Sequence, residues 1–271
     1  MTINTNISPS WDDYDQATPD GLTPKEKYNK ILFRPGIPLQ ARELTQLQSI
    51  LQNQIQSVGD HMFKDGSMVV PGGISVYKGI KYVKLSTLSI TYDLDTLVGS
   101  DVSETGTTNT ATIVHAVDAT SSDSITLYIN YTAGDSEFST GSILTATEFT
   151  ATVGNALAGT DADNGVGFLV SVDDGIYYLR KHFVIVKSAT VVASKYTSNP
   201  TIDVGFSVLE SITTSGEDTS LNDNATGSPN ATAPGAHRLT IKTSMIAQVS
   251  TSGSVSGDAD FALLARIEDG E

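Results

Sequence analysis

The sequence contains no cysteine among its 271 residues. A disulfide framework and a zinc site built from cysteine thiolates are therefore excluded. Basic residues are also scarce, since 16 Lys and Arg stand against 31 Asp and Glu, which gives a formal net charge of −15. Affinity for nucleic acid depends on Lys and Arg that displace counterions from phosphates, so we expect no nucleic-acid partner.

Long apolar runs and cofactor motifs are absent as well. No run approaches the roughly 18 to 20 apolar residues that cross a bilayer, and the N-terminal residues lack the basic region and apolar core of a secretory signal. The sequence has no P-loop, no GxSxG nucleophile motif and no Gly-rich dinucleotide motif. We therefore predict a protein with no membrane partner, no cofactor and no enzymatic activity.

Metal-binding patterns are not visible either. His61, His115, His182 and His237 lie in four separate segments without HxH, HxxH or HExxH spacing. The segment Asp161–Gly165 resembles the start of a calcium loop, but its glycine comes one place early and Val172 stands where a bidentate Glu is required. We interpret it as an ordinary acidic turn and predict no metal site.

The most informative segment that is present runs from Tyr28 to Gly73 and predicts one long amphipathic helix over about Leu39–Phe63. Pro38 suits the first helical turn, and Gly59 or Gly66 suits the helix end. The segment carries no formal charge between Glu43 and Asp60, and its polar face consists of glutamines, which can be buried at lower cost than charged side chains. The apolar stripe consists of Leu44, Leu47, Ile50, Leu51, Ile55, Val58 and Met62.

After this helix the apolar period changes from 3.6 to 2, which is typical of strands with one buried face. The pattern predicts an α+β protein, mainly β, in which the long N-terminal helix packs with a β core and an inserted subdomain forms a small β-barrel or sandwich. The turn Asp173–Gly175 predicts a hairpin that returns through Ile176–Val186. Other predicted strands are Ala111–Val117, Ile125–Tyr131, Ile143–Phe149, Gly167–Val172, Thr190–Ala193, Ile202–Ile212 and Leu239–Ser250.

Four regions follow from these patterns. Residues 1–24 form an extended polar arm that holds the only tryptophan, Trp11, as either a contact on its own domain or an anchor in a partner's pocket. Residues 25–96 hold the helix and first strands, and residues 97–150 are the inserted β-subdomain. Residues 151–271 complete the β core and include a long loop, 213–235, which we expect to be covered by a partner or packed on the helix.

Three stretches resemble a family of tailed-phage virion proteins that is common in phages of cyanobacteria and other marine bacteria. They are FRPGIPLQARELTQLQSILQNQI from Phe33, GDHMFKDGSMVVPGG from Gly59, and DNATGSPNATAPGAHRLTI from Asp223. The resemblance implies a structural protein of the virion, assembled in the host cytoplasm, that connects the tail or baseplate to tail fibres as a homotrimer. The chain then resembles either an adaptor or the N-terminal portion of a fibre.

An alternative is a carbohydrate-binding or glycan-degrading tail protein that acts on the host surface. Tyr128, Tyr131 or Phe138 would supply a stacking platform for sugars; the other and more common possibility is that they form an aromatic strand face buried in the subdomain. Hydrolysis would need two suitably placed carboxylates, and the sequence singles out no pair, because Asp93 with Asp95 and Asp173 with Asp174 are too close along the chain.

For the structural role, the helix and the arm supply the predicted assembly interface. A threefold axis would bring three copies of His61 together at the helix end, where they could hold a metal or an anion. A strict heptad is doubtful because Gln54 falls at an apolar position, so packing of each helix on the β core is the other possibility. The predicted interface residues are Trp11, Leu44, Leu47, Gln48, Leu51, Gln54, Ile55, Val58 and His61.

Overall fold

The computed structural model describes residues 29–88, 93–134, 136–147, 149–155, 162–249 and 260–271. The predicted arm over residues 1–24, with Trp11, and Asp161 of the acidic turn lie outside the described residues. Within the described part the protein is mainly β, with one long helix and a closed six-stranded barrel. The predicted class, α+β and mainly β with a small barrel, is therefore confirmed.

The long helix α1 spans Ala41–Met62, and two short 3-10 turns occupy Leu94–Leu97 and Thr219–Leu221. The strands are β1 (Ser67–Val70), β2 (Ile74–Leu88), β3 (Asp101–Glu104), β4 (Thr110–Val117), β5 (Ile125–Ala133), β6 (Ile143–Thr145), β7 (Thr150–Val153), β8 (Asn164–Val172), β9 (Gly175–Leu179), β10 (His182–Val186), β11 (Ala189–Ser194), β12 (Ile202–Thr213), β13 (Arg238–Val249) and β14 (Phe261–Ile267).

The ends of α1 differ from the expectation. Pro38 precedes the helix, whose first-turn Glu43 accepts a hydrogen bond at 2.9 Å from the backbone N–H of the capping residue Gln40. Gly59 lies inside the helix, and Phe63 ends the helix in an extended conformation. Gly66, at φ +91°, instead forms the turn into β1. The predicted place of Pro38 in the first turn was wrong, because the helix starts after Gln40. The predicted end at Gly59 was also wrong, because the helix continues to Met62 and Gly59 packs against Tyr178.

The six-stranded barrel has the order β2-β5-β4-β3-β6-β7, and β7 closes it by pairing with the end of β2. In β4, Thr110 and Thr112 alternate with Ala111 and Ile113, and the two apolar residues are fully buried. The barrel includes more residues than the predicted insert 97–150. The second half of β2 is one of its strands, and its last strand, β7, ends at Val153. Only the first part of the predicted strand Ile143–Phe149 is a strand, since β6 ends at Thr145 and the next strand, β7, begins at Thr150.

The first half of β2 leaves the barrel and pairs with β8, which in turn pairs with β11. Two three-stranded sheets, β1-β9-β10 and β13-β12-β14, complete the β core. One cluster, which includes Tyr177, Val184, Phe206 and Ala262, fills the space between these two sheets. A second cluster, which includes Phe168, packs β8 and β11 against β12. β12 is therefore the central strand of the core.

The hairpin predicted at Asp173–Gly175 was wrong. Strands β8 and β9 belong to different sheets, and the Asp173 N–H donates to the carbonyl of Gly73 at 2.9 Å. The hairpin lies one strand later, between β9 and β10, where Arg180 and Lys181 both adopt positive φ, 51° and 65°. Two-residue hairpin loops favour positive φ at both positions, but the residues there are usually Asn and Gly. The pair Arg-Lys therefore does not indicate a turn in the sequence.

The loop from 214 to 237 connects β12 to β13, which pair along their whole length. None of its residues is buried. Its backbone closes on itself, because the N–H of Asp223 donates to the carbonyl of Ala233 and the N–H of Thr232 donates to the carbonyl of Asp223. These contacts are internal to the loop, so its cover by a partner stays a prediction.

Candidate assembly surface

One face of α1 is held by the β9–β10 hairpin. The ring of Tyr178 lies against Gly59, where any side chain would collide with it. The Tyr178 hydroxyl donates to the carboxylate of Asp60 at 2.7 Å and lies 3.3 Å from the Gln56 carbonyl. Burial, together with the Asp60 carboxylate, raises the pKa of Tyr178 to about 12, so the hydroxyl stays a donor at neutral pH.

Aromatic rings and glutamines complete this attachment. Phe63 lies 6.0 Å from Tyr178 and 5.9 Å from Phe183, measured between ring centroids, and the second pair is edge-to-face. The side-chain amide of Gln52 donates to the carbonyl of Lys181 at 3.1 Å, at the tip of the hairpin. Part of the predicted glutamine face therefore packs on the chain's own β core.

The apolar stripe of α1 points elsewhere. With 100° per residue, all of its side chains except Ile50 fall within an arc of about 80°, centred roughly 130° from the residues that contact the hairpin. Ile50 lies beside this arc and is buried. Five of the stripe side chains are exposed, by these fractions: Leu44 48%, Leu51 51%, Ile55 46%, Val58 59% and Met62 65%. Burying a fully exposed side chain of this kind is worth about 1.5 to 3 kcal/mol, so covering each of these half-exposed ones would add about half of that. The part of the chain that the structure describes therefore leaves much of the apolar area of the stripe in contact with solvent.

The apolar surface continues before the helix. Leu32, Phe33, Ile37 and Leu39 are all more than half exposed. They line an open groove with Leu44 and Leu47 at the start of α1, together with Arg34, Pro38 and Glu43. We call the α1 stripe and these four residues the assembly surface. A contiguous exposed apolar area of this kind is typical of a site that another protein covers.

Charge also distinguishes this surface. The chain has a net charge of −15, but no residue from 44 to 59 is formally charged. Copies of a strongly acidic chain repel each other over most of their surfaces. Over residues 44–59, two copies can approach without bringing formal charges together.

The predicted interface residues divide into three groups in the structure. Leu44, Leu51, Ile55 and Val58 lie on the exposed stripe, and Leu47 lies on it partly buried; Gln48, Gln54 and His61 are exposed beside it; Trp11 lies outside the described residues. The sequence analysis missed the groove residues Leu32, Phe33, Ile37 and Leu39. Their apolar character was visible, but a segment that contains Pro35, Gly36 and Pro38 has no helical or strand period to assign them to a face.

A buried ionic cluster, also missed, joins the barrel to the end of β11. Asp123 accepts hydrogen bonds from Lys84 at 2.9 Å, Lys195 at 2.7 Å and the Tyr196 hydroxyl at 2.7 Å. Burial alone would raise the pKa of Asp123, but these three donors hold the pKa well below its usual range. Lys84 is fully buried. All partners satisfy one another, so the cluster is a structural clamp between two parts of the fold.

The aromatic platform proposed for sugar binding was wrong. Tyr128 and Phe138 are fully buried. Tyr131 is half-buried, and its ring packs 5.0 Å from Phe138. These rings form part of the fold and not an open stacking surface.

The candidate acids occupy turns. Asp93 accepts from the Asp95 N–H at 3.2 Å, and Asp174 accepts from the Ser188 N–H at 2.7 Å. Over the described ranges, no group of three His, Cys, Asp or Glu side chains is placed to hold a metal ion. No helix in the part of the chain that the structure covers is both long and apolar enough to span a bilayer.

Comparison with known proteins locates this region without assigning a role. A family model described as a domain of unknown function (DUF4815) matches residues 17–92. This window is less than half of the chain and contains α1, β1 and β2. No curated protein and no solved structure matches the chain. The matched window thus includes the whole assembly surface.

Proposed function

We propose that this protein is a structural component of a tailed-phage virion. It connects the tail or baseplate to tail fibres as a homotrimer and is assembled in the host cytoplasm. The resemblance of its three sequence stretches to phage virion proteins supports this role. The observation that carries the proposal is the uncharged stripe of α1, because the described residues leave five of its apolar side chains exposed and a contiguous face of this kind is typical of a protein–protein contact.

Self-association fits the remaining features of the surface. The hairpin holds α1 through Tyr178 and Phe183 on one side and leaves the stripe free on another, so the helix can join a bundle without leaving its own β core. The alternative, a carbohydrate-binding or glycan-degrading tail protein, has no comparable observation behind it. Its candidate rings are buried, and its candidate acids form turns.

The oligomeric state tests the self-association directly. Light scattering coupled to size exclusion should give a mass near three times the 28.6 kDa chain. Replacing Leu51 and Ile55 together with Gln should yield a folded monomer, while Ser57→Gln, an exposed change outside the stripe, should leave the trimer intact. A wild-type monomer, or a trimer that survives the double change, would contradict this use of the stripe.

The virion role needs a separate test. Gold-labelled antibodies against the chain, applied to particles of the phage that encodes it, should label the distal end of the tail. Unlabelled particles, or label confined to the capsid, would overturn the proposed position. Intact labelled particles should show no release of host polysaccharide that depends on this chain; such release would favour the glycan-degrading alternative.

A further inference from the structure

We infer that α1 associates with parallel copies of itself through an 11-residue repeat, and this inference rests on the self-association proposed above. Apart from Ile50, which the chain buries, the stripe residues 44, 47, 51, 55, 58 and 62 follow one another at steps of 3, 4, 4, 3 and 4. This spacing repeats after 11 residues, so that Leu44 corresponds to Ile55, Leu47 to Val58 and Leu51 to Met62. The occupant of the stripe is a second and a third copy of this chain.

The repeat explains a residue that a heptad does not. A heptad that starts at Leu44 and Leu47 places Gln54 in the core between Leu51 and Val58. The 11-residue repeat instead places Ile55 there, and Gln54 moves to the flank, where its amide can reach water. Both Gln54 and Ile55 are exposed in the single chain, so only the second arrangement buries the apolar member of the pair.

The repeat also sets the shape of the bundle. Eleven residues over three turns give about 3.67 residues per turn, slightly more than the 3.6 of a straight helix. Such helices stay nearly straight or wind gently to the right, in contrast to the left-handed winding of heptad coils. A nearly straight helix suits α1, because Gln52, Gly59 and Phe63 must all remain in place on the β9–β10 hairpin.

Orientation follows from symmetry. Three identical chains around one axis run in the same direction, so each stripe residue faces its own equivalents in the other copies. The hairpin contacts lie roughly 130° around each helix from the stripe, so the three β cores stand outside the bundle. The uncharged segment between Glu43 and Asp60 keeps the acidic residues of the copies away from the axis over this length.

The absence of cysteine makes the test direct, because each introduced thiol is the only one in the chain. The register test compares Ile55→Cys with its neighbour Gln54→Cys under mild oxidation. A disulfide forms only when the two Cα atoms lie about 4.4 to 6.8 Å apart, so we expect roughly tenfold faster cross-linking at Ile55 than at Gln54. Faster cross-linking at Gln54 would support a heptad and overturn the 11-residue repeat.

The orientation test uses the two ends of the stripe, with Ser57→Cys as the control outside it. Leu44→Cys and Met62→Cys should each cross-link to themselves, and mixing the two variants should add no Leu44–Met62 product. A product formed only in the mixture would show antiparallel helices and overturn the inference.

Light scattering on the same samples distinguishes failure of the helix bundle from failure of the proposed trimer. A trimer in which stripe thiols cross-link no faster than Ser57→Cys would overturn the helix bundle while self-association stands. A monomer throughout would overturn both the bundle and the proposed trimer.

Discussion

The barrel and α1 use their apolar residues in opposite ways. The barrel directs a full cluster inward, including Leu127, Phe138 and Leu144, and closes its strand edges by pairing β7 with β2. Closure removes unpaired edges, so the barrel needs no neighbour. α1 instead leaves Leu51, Val58 and three other stripe residues exposed, although it buries Ile50. Among the described residues, the barrel therefore covers its own apolar side chains, whereas α1 leaves much of its stripe exposed.

The polar groups follow the same division. In the barrel, the carboxylate of Glu104 is buried and accepts hydrogen bonds from Asn109, Thr107 and the Ser139 N–H at 2.7 to 3.1 Å. Around α1, the polar contact of Tyr178 reaches the exposed Asp60. Polar groups thus link the strands of the barrel internally, whereas at α1 they connect the helix to the hairpin on a face away from the exposed stripe.

The largest expected effect compares one residue from each region. Phe138→Ala should lower the free energy of unfolding by about 3 to 5 kcal/mol, because it opens a cavity in the closed barrel. Leu51→Ala should change the unfolding of the dilute monomer by no more than about 0.5 kcal/mol, since the side chain is exposed there. Urea unfolding followed by circular dichroism measures both.

A concentration series serves as the control for this pair. The loss at Phe138 should be the same at every protein concentration, whereas a loss at Leu51 should grow with concentration as self-association contributes. A large loss for Leu51→Ala in the dilute monomer would show that the chain covers its own stripe and would break the comparison.

The second effect is the pH dependence that the buried Glu104 of the barrel produces. Burial by itself would raise the pKa of Glu104, but the hydrogen bonds from Ser139, Asn109 and Thr107 lower it to about 2, from 4.5 in the unfolded chain. A depressed pKa adds stability that is present above pH 4.5 and is lost as the pH falls toward 2, in total about 3 kcal/mol. Glu104→Gln should flatten this part of the stability profile.

A matched carboxylate controls for general acid effects. Glu217, on the exposed loop, accepts from the Thr214 N–H, and Glu217→Gln should change the profile far less because that loop carries no buried residue. Equal flattening by the two variants would mean that surface charge, and not the buried Glu104 network, governs the acid response. Unfolding curves between pH 2 and pH 6 decide between these outcomes.

Much of the fold was accessible from sequence because the relevant signals are local. The 3.6-residue period marks α1 nearly to the residue, and the alternation in Ala111–Val117 and Ile202–Ile212 marks β4 and β12. The period also identifies the stripe of α1. It cannot say which side faces the β core, because Gly59 and Tyr178, which decide this, lie far apart in the chain.

The failures share a non-local cause. The strand Phe261–Ile267 was not predicted, since its Ala-Leu-Leu-Ala sequence suits a helix and a bulge between Leu263 and Ala265 breaks its alternation. It is a strand because β12 offers an unpaired edge. The hairpin turn at Arg180–Lys181 likewise depends on distant acids, because Arg180 donates from its backbone to Asp65 and from its side chain to Asp260.

The smallest expected effect concerns how α1 is attached. Tyr178→Phe removes the hydroxyl that donates to Asp60, which should weaken the docking of α1 by about 1 to 2 kcal/mol. The cost stays modest because Asp60 is exposed and returns to water. Hydrogen exchange followed by mass spectrometry should then show faster exchange in α1 and unchanged exchange in the barrel.

The matched variant is Tyr196→Phe, which removes the hydroxyl that donates to Asp123 in the buried clamp. It should speed exchange in the strands that meet at the clamp and leave α1 unchanged. If Tyr178→Phe instead speeds exchange throughout the chain, α1 is part of the same cooperative unit as the barrel. If neither region responds, the rings of Phe63 and Phe183 hold the helix without the hydroxyl, and the contrast between a self-sufficient barrel and a lightly docked helix would rest on the apolar stripe alone.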